Sequence, residues 1–322
     1  YDARTYAPLQ IEDWSCRGAD RCDPGRPLYI SFNNPLDDEV FDPSMITIEP
    51  ELPGMAVIAE YNSISIRGAT VGGTTYTATV AAEVQDTFGQ TLGEDGTVDF
   101  RIDDARPYLN QFRDRLITLD PLAPDPSIAV TTVNHERLRV RLFEVDVDDW
   151  ASYVSYSERR WEYENPPPLP DWTEVRDAAI DTKADPNELT ETSIDLGDVL
   201  DGDAGHVIVL VEPVGRLAEL TPNSNDFWDN RPALVWAQST IIGADVFEDN
   251  DELTVWATDL RSGAPLGDVE IDFGRLATAT TDGSGLVRIN KPAGSSEDRR
   301  PLVARRGDDT AIVESNWHWH SP

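Results

Sequence analysis

The chain has 322 residues, with Lys+Arg 26 against Asp+Glu 60, a formal net charge of -34 and two cysteines. That length is too great for one ordinary β-sandwich and suits two to three domains, while the charge opposes binding to nucleic acid or to anionic membrane surfaces. No apolar run approaches the roughly 20 residues of a membrane helix; the most continuous, His206 to Val211, is strand-sized and ends at Glu212-Pro213. The sequence starts at Tyr1 with no initiator Met and no signal sequence, and is expected to be a piece of something longer, any membrane anchor lying outside it.

Residues 1–104 read as a first module. Apolar side chains alternate at Leu28, Ile30 and Phe32, across Met45 to Ile48, at Ile64 and Ile66, and at Tyr76, Ala78 and Val80, where threonines at 75, 77 and 79 take the other face. Asn33-Asn34-Pro35, Pro53-Gly54, Gly72-Gly73 and Phe88-Gly89 punctuate these runs as turns. The count and spacing suit an Ig-like antiparallel sandwich. Cys16 and Cys22 flank a short polar loop, which reads as a disulfide and hence as an extracytoplasmic, oxidising compartment, although two reduced thiols would give the same sequence.

Pro107 marks the passage into a second module, 105–233. Leu138, Val140 and Leu142 point inward while Arg137, Arg139 and Arg141 point out, a strand buried on one side. Beyond it the period changes: Trp150, Val154, Ser157 and Trp161 recur at helical spacing, with Asp148-Asp149 where a helix dipole favours acids. That helix must stop before Asn165-Pro166-Pro167-Pro168. A polar, Pro-rich excursion follows to about 189, with a short helix expected from Trp172 to Ile180. Strands resume at Leu189 to Leu196, and His206 to Val211 is apolar on both faces, as in a strand at the centre of a sandwich.

The third module, 234–322, is expected to open with strands Leu234 to Ser239 and Ile241 to Phe247. Leu253, Val255 and Ala257 share one face of the next strand, and Val269, Ile271 and Phe273 do the same on the one after. Trp256 points away from Leu253 and Val255, so either that strand is buried on both faces or Trp256 meets a neighbouring domain. The block VWATDLRSGAPLGDVEI, then ATATTDGSG, then LVARRGDDTAIV resembles a macroglobulin domain of the bacterial α2-macroglobulins. The segments SFNNPLD, FDPSMITIEPELPG and GTTYTATVAAEVQDTFGQTL are similar to the Ig-like modules of bacterial surface proteins, including those near the front of the same family.

The resemblance implies an all-β chain of tandem antiparallel sandwiches, one Ig-like and two macroglobulin-like, the middle one carrying a helical, Pro-rich insertion. It implies a non-enzymatic scaffold in a broad-spectrum protease trap that protects the cell envelope, with the parent's other domains and, through the intact parent, target proteases as partners. A tandem Ig-like adhesin or surface stalk is the alternative.

Chemistry-bearing candidates are few. His318 and His320 share a spacing that can serve a metal on a strand, but read as part of an aromatic linker. Asp249-Asn250-Asp251-Glu252 and Asp201-Gly202-Asp203 offer oxygen ligands but miss the offsets of an EF-hand loop, and read as turns. Arg306-Gly307-Asp308 reads as a hairpin turn rather than a recognition tripeptide. The Cys-x-Glu-Gln context of a thioester is absent: Cys16 precedes Arg17-Gly18 and Cys22 precedes Asp23-Pro24. No catalytic, cofactor or metal residue is assigned; the site residues expected are the disulfide pair Cys16 and Cys22 and, for contact between domains, Trp256.

Overall fold

The computed structural model describes residues 6–16, 22–161, 167–200, 204–214, 224–249, 252–273, 277–290 and 301–313. Contacts divide the chain into two compact units, Tyr1–Pro107 with Ala184–Leu189, and Tyr108–Lys183 with Thr190–Pro322.

The first unit is a sandwich of strands β1 (Ile11–Ser15), β2 (Leu28–Phe32), β3 (Ile46–Glu49), β4 (Ala56–Glu60), β5 (Ser63–Arg67), β6 (Thr75–Val80) and β7 (Gly96–Arg101). They form a four-stranded sheet, β1-β2-β5-β4, and a three-stranded sheet, β3-β6-β7. Leu28, Ile30, Phe32, Ile64 and Ile66 from one sheet meet Ile46, Ile48, Tyr76, Ala78, Val80, Val98 and Phe100 from the other in a single core. These are the inward residues that alternation selects, because successive side chains on a strand point to opposite faces. Two turns expected from sequence are tied together by Asp86, fully buried: its carboxylate accepts the Asn34 side-chain amide at 2.8 Å and the Phe88 and Gln90 backbone N–H groups at 2.9 and 2.8 Å. A buried carboxylate is tolerated only with such partners.

The second unit begins with β8 (Tyr108–Leu109), β9 (Leu116–Leu119), β10 (Ser127–Val133), β11 (Arg137–Val145), helix α1 (Trp150–Arg159), β12 (Thr173–Asp181), β13 (Leu189–Asp195), α2 (Gly197–Leu200), β14 (Gly205–Pro213), α3 (Asn225–Asp229) and β15 (Ala233–Ser239). A three-stranded sheet, β13-β10-β8, faces a five-stranded sheet, β12-β11-β14-β15-β9, in which β9 and β15 run parallel and the other pairs antiparallel. The arginines of β11 do face outward, in an ion-pair ladder: Arg137 lies 3.3 Å from Asp181, Arg139 binds both oxygens of Asp177 at 2.8 and 2.6 Å, and Arg141 pairs with Glu174. The hydrogen bonds from Arg139 hold the Asp177 carboxyl below its ordinary range.

Two expectations fail in this region. Residues 172–180 are not helical: Thr173–Asp181 is strand β12, antiparallel to β11 from Arg137↔Asp181 to Glu144↔Thr173 with a register shift between Leu142 and Phe143. Tertiary pairing, with its carboxylates opposite the β11 arginines, overrides the weak local preference. The boundary at 233/234 also moves. Leu234 to Ser239 do not open the third module; they belong to strand β15, hydrogen-bonded to β14 from Val211↔Ala233 to Gly205↔Ser239, and all seven residues of β15 are buried. Arg231-Pro232 marks only the entry into β15, so the pair is a poor guide to the end of the module.

The remaining strands, β16 (Ile242–Glu248), β17 (Glu252–Asp259), β18 (Glu270–Asp272), β19 (Thr278–Thr280), β20 (Leu286–Asn290), β21 (Leu302–Arg306) and β22 (Asp309–Val313), make a second sandwich of sheets β16-β17-β20 and β19-β18-β21-β22. Its core holds Leu253, Val255, Ala257, Val269, Ile271 and Phe273, all expected inward. The resembling motifs are its turn chemistry. Asp259 Oδ1 accepts the Arg261 and Ser262 N–H groups, and Asp282 Oδ1 those of Ser284 and Leu286; hydrogen bonds to Ser262 and Ser284 hold both carboxyls low. Buried Thr281 donates to the Leu266 carbonyl at 2.8 Å and accepts the Val269 N–H at 3.0 Å. Gly285 has φ +76, and a Cβ there would lie 2.4 Å from the Ala257 carbonyl oxygen, so only glycine fits. Arg306 pairs across from Asp309 with Gly307 at φ +63, the tight hairpin expected of Arg306-Gly307-Asp308.

Candidate functional site, the roofed junction of the second unit

Strand β14 feeds two cores. Val207, Val209 and Val211 enter the sandwich core with Leu138, Val140, Leu142, Val235 and Ala237. Ile208 and Leu210, with Leu234 and Trp236 of β15, face the other way into an aromatic core with Phe143, Trp150, Tyr153 and Trp172. Helix α1 roofs this second face. Trp150 and Tyr153 meet the Trp236 ring at centroid distances of 5.2 and 5.4 Å, near edge-to-face, and Trp172 meets Phe143 at 5.6 Å. Such geometry sets the negative ring face against a positive edge. The polar ends are satisfied: the Tyr153 hydroxyl donates to the Arg115 carbonyl at 2.6 Å and Trp172 Nε1 to the Ser152 hydroxyl at 2.9 Å. The insertion thus covers a sheet face that is too apolar to meet water.

The same face receives the last sandwich. On β22, Ala311 points into its own sandwich core while Ile312, 2% exposed, joins the aromatic core. Gln238 of β15 treats Ile312 as a neighbouring strand would, its Oε1 accepting the Ile312 N–H at 2.8 Å and its Nε2 donating to the Ile312 carbonyl at 3.1 Å. Buried His206 lies beside them. Trp236 Nε1 donates to its Nδ1 at 3.1 Å, and its Nε2 lies 2.8 Å from the Thr310 hydroxyl. Burial pushes this imidazole down to about 4, against the weaker pull of Asp146. Arg261 adds a surface ion pair to Asp120 at 2.9 Å. His206, Trp236, Gln238 and Ile312 make a buried, hydrogen-bonded joint.

The site residues expected from sequence lie elsewhere. Cys16 and Cys22 are joined by a disulfide with Cα atoms 5.3 Å apart, in the first unit; Cys16 is buried and the Cys22 N–H donates to Asp103 at 2.8 Å. Trp256 stands on the outward face of β17, 37% exposed, opposite Asp245 and Leu286. Phe247, one diagonal step away on β16, is also exposed. His318, His320 and Asp201-Gly202-Asp203 lie outside the described residues, as do Asn250 and Asp251. Among the described residues no three His, Cys, Asp or Glu side chains gather as a metal site would require, and no helix is long and apolar enough to cross a membrane. An open groove of about 810 Å³ in the first unit is lined by Ile48 to Leu52, Gly54 and Met55, with only Glu49 and Glu51 as charged groups. Sequence reading missed His206, Gln238 and Ile312; the one signal for them was a strand apolar on both faces beside an amphipathic helix.

The second unit is thus two β-sandwiches joined through a shared buried core. Residues 240–320 match the family model of the bacterial alpha-2-macroglobulin MG3 domain. The chain is similar in fold to Escherichia coli alpha-2-macroglobulin spanning domains MG0-NIE-MG1, with a TM-score of 0.57 at 19% identity over 95% of this chain and 96% of that one. Longer structures are also similar. The native E. coli protein gives a TM-score of 0.53 at 18% identity, and the Salmonella protein reacted with methylamine gives 0.59 at 18%. These matches cover 95% and 96% of this chain but 19% and 18% of those, so the chain spans about a fifth of their length. The family model and the E. coli piece number their macroglobulin domains differently, and agree on the type. No curated protein sequence matches the chain.

Proposed function

We propose that the chain is a scaffold segment of a bacterial α2-macroglobulin-like protease trap, without enzymatic activity of its own. The match of residues 240–320 to the bacterial macroglobulin domain carries this reading, and the fold similarity along nearly the whole chain supports it. The roofed junction suits the role, because a trap that closes around a protease needs modules that keep their mutual placement while other parts move. The chain would act in three modules, 1–104, 105–239 and 240–322, within a parent whose other domains and target proteases are its partners. An extracytoplasmic location, in the periplasm or at the cell surface in defence of the envelope, fits the Cys16–Cys22 disulfide.

The test is made on the parent protein. After incubation with a protease, a trap retains activity on a small peptide substrate while a bulky protein substrate is spared; loss of both, or sparing of neither, overturns the reading. Intact mass before and after methylamine then separates two forms of trap. Uptake of one amine with release of a thiol marks a thioester, and no uptake marks a trap that works by enclosure alone. Trp256, with Phe247 beside it, is proposed to meet a further domain of the parent. Trp256→Ala should raise hydrogen exchange in that domain, and unchanged exchange there sinks the assignment.

A further inference from the structure

Two arginines of the second unit lack, among the described residues, a carboxylate of the kind that Arg137, Arg139, Arg141 and Arg176 reach. Arg160 follows the last turn of α1, its N–H bonded to the Tyr156 carbonyl at 2.8 Å. Arg231 follows α3, whose capping Asn230, 1% exposed, is held by His135 at 2.6 Å and by the Asp226 carbonyl at 2.7 Å. Both backbones are therefore anchored. The Arg160 guanidinium lies 4.6 Å from the centre of the Trp161 ring, and that of Arg231 lies 5.5 Å from Trp161 and 5.4 Å from Trp228. Phe227 closes the cluster, 6.1 Å from Trp161.

Yet Nε and Nη1 of Arg160 and Nε of Arg231 are buried with no hydrogen-bond partner among the described residues. Arg137, Arg139, Arg141 and Arg176 all reach carboxylates. Burial pushes the Arg160 guanidinium down to about 10, with repulsion from Arg231 adding to it, and it remains charged at neutral pH. Ring faces offset only part of the cost of dehydrating a guanidinium; an anion that accepts its N–H groups would offset the rest.

We propose that Arg160 and Arg231, framed by Trp161, Phe227 and Trp228, form a recognition site for an acidic side chain of a polypeptide. A carboxylate supplies a counter-charge that neither guanidinium has among the described residues, and an acceptor for their N–H groups. Trp228, 39% exposed, offers an apolar surface for the residue beside it. A free polyanion is disfavoured by the net charge of -34, whereas a single carboxylate on an otherwise uncharged segment meets a local positive field.

The experiment uses the whole chain and four probes: N-acetyl-Phe-Glu-amide, its Phe-Gln counterpart, sodium acetate and sodium sulfate. The readout is the indole N–H signals of Trp161 and Trp228 by NMR. The Glu dipeptide is expected to shift both saturably and the Gln dipeptide to bind at least about tenfold more weakly. Arg160→Gln and Arg231→Gln should each abolish the effect while leaving the melting temperature equal or higher, since each removes a partly buried charge that has no carboxylate partner among the described residues. Equal response to acetate or sulfate overturns the peptide assignment in favour of a simple anion. A fall in melting temperature with either variant overturns it in favour of a structural ion pair. No response in the unmodified chain also overturns it, whether or not Glu162→Gln with Glu164→Gln restores binding; restoration would show that the chain's own acids fill the site.

Discussion

His206 keeps its proton on Nε2, because Trp236 has only an N–H to offer its Nδ1 and the second nitrogen must then donate to Thr310. A second proton would set two donors against each other in a dry core. The folded-state value is about 4, below the ordinary 6.5, so the unfolded chain takes up the proton first as pH falls. The stability that His206 contributes is complete above about 6.5, is lost progressively down to about 4, and amounts to about 3 kcal/mol. Comparison of unfolding free energies for the chain and for His206→Gln between pH 7 and 4 should show the steeper loss in the unmodified chain; parallel curves would mean that the imidazole titrates as if exposed. Gln238 is the second sensitive residue. Gln238→Ala leaves the Ile312 N–H and carbonyl without partners and should cost about 2–4 kcal/mol in denaturant unfolding, with the damage confined to the second unit.

Helix α1 is a roof, and its value lies in what it covers. Trp150→Ala opens a cavity against Trp236 and should lower stability by about 3–5 kcal/mol, with Trp236 emission moving to the red. The hairpin after Thr281 provides a sharper comparison. Gly285→Ala drives a Cβ into the Ala257 carbonyl at positive φ and should cost well over about 1 kcal/mol, whereas Gly283, with nothing within 4 Å of its Cβ position, should accept alanine with little change in melting temperature. Faces and turns of this sort were legible because they depend on spacing of two residues or on one glycine. Strand β12 was not: TEVRDAAID carries no strong preference of its own, and only its pairing with the β11 arginines makes it a strand.

For the molecule as a whole, the two compact units respond to different insults. The disulfide closes a loop in the first unit with a sequence separation of 6, for which chain entropy gives about 2 kcal/mol. Reduction should therefore lower the stability of residues 1–107 by that order and leave hydrogen exchange in β14, β15 and β22 unchanged; slower or faster exchange there would mean that the units unfold together. The all-β class, the tandem sandwiches and the helical insertion were readable in advance. The joint between the last two sandwiches was not, since its hydrogen bonds span 104 residues from His206 to Thr310 and 74 from Gln238 to Ile312.

The amino-acid order settles everything that acts over a few residues: which side of each strand is apolar, where Asp259, Asp282 and Gly285 force turns, and which macroglobulin motif those turns spell. Folding in three dimensions decides where an apolar face finds its cover. A module boundary placed before Leu234 on the strength of a proline and an arginine has no energetic meaning when Ala233–Ser239 can pair with β14 and bury both faces. The same holds for Arg160 and Arg231, unremarkable in the sequence and set around one indole ring only when α1 and α3 have docked.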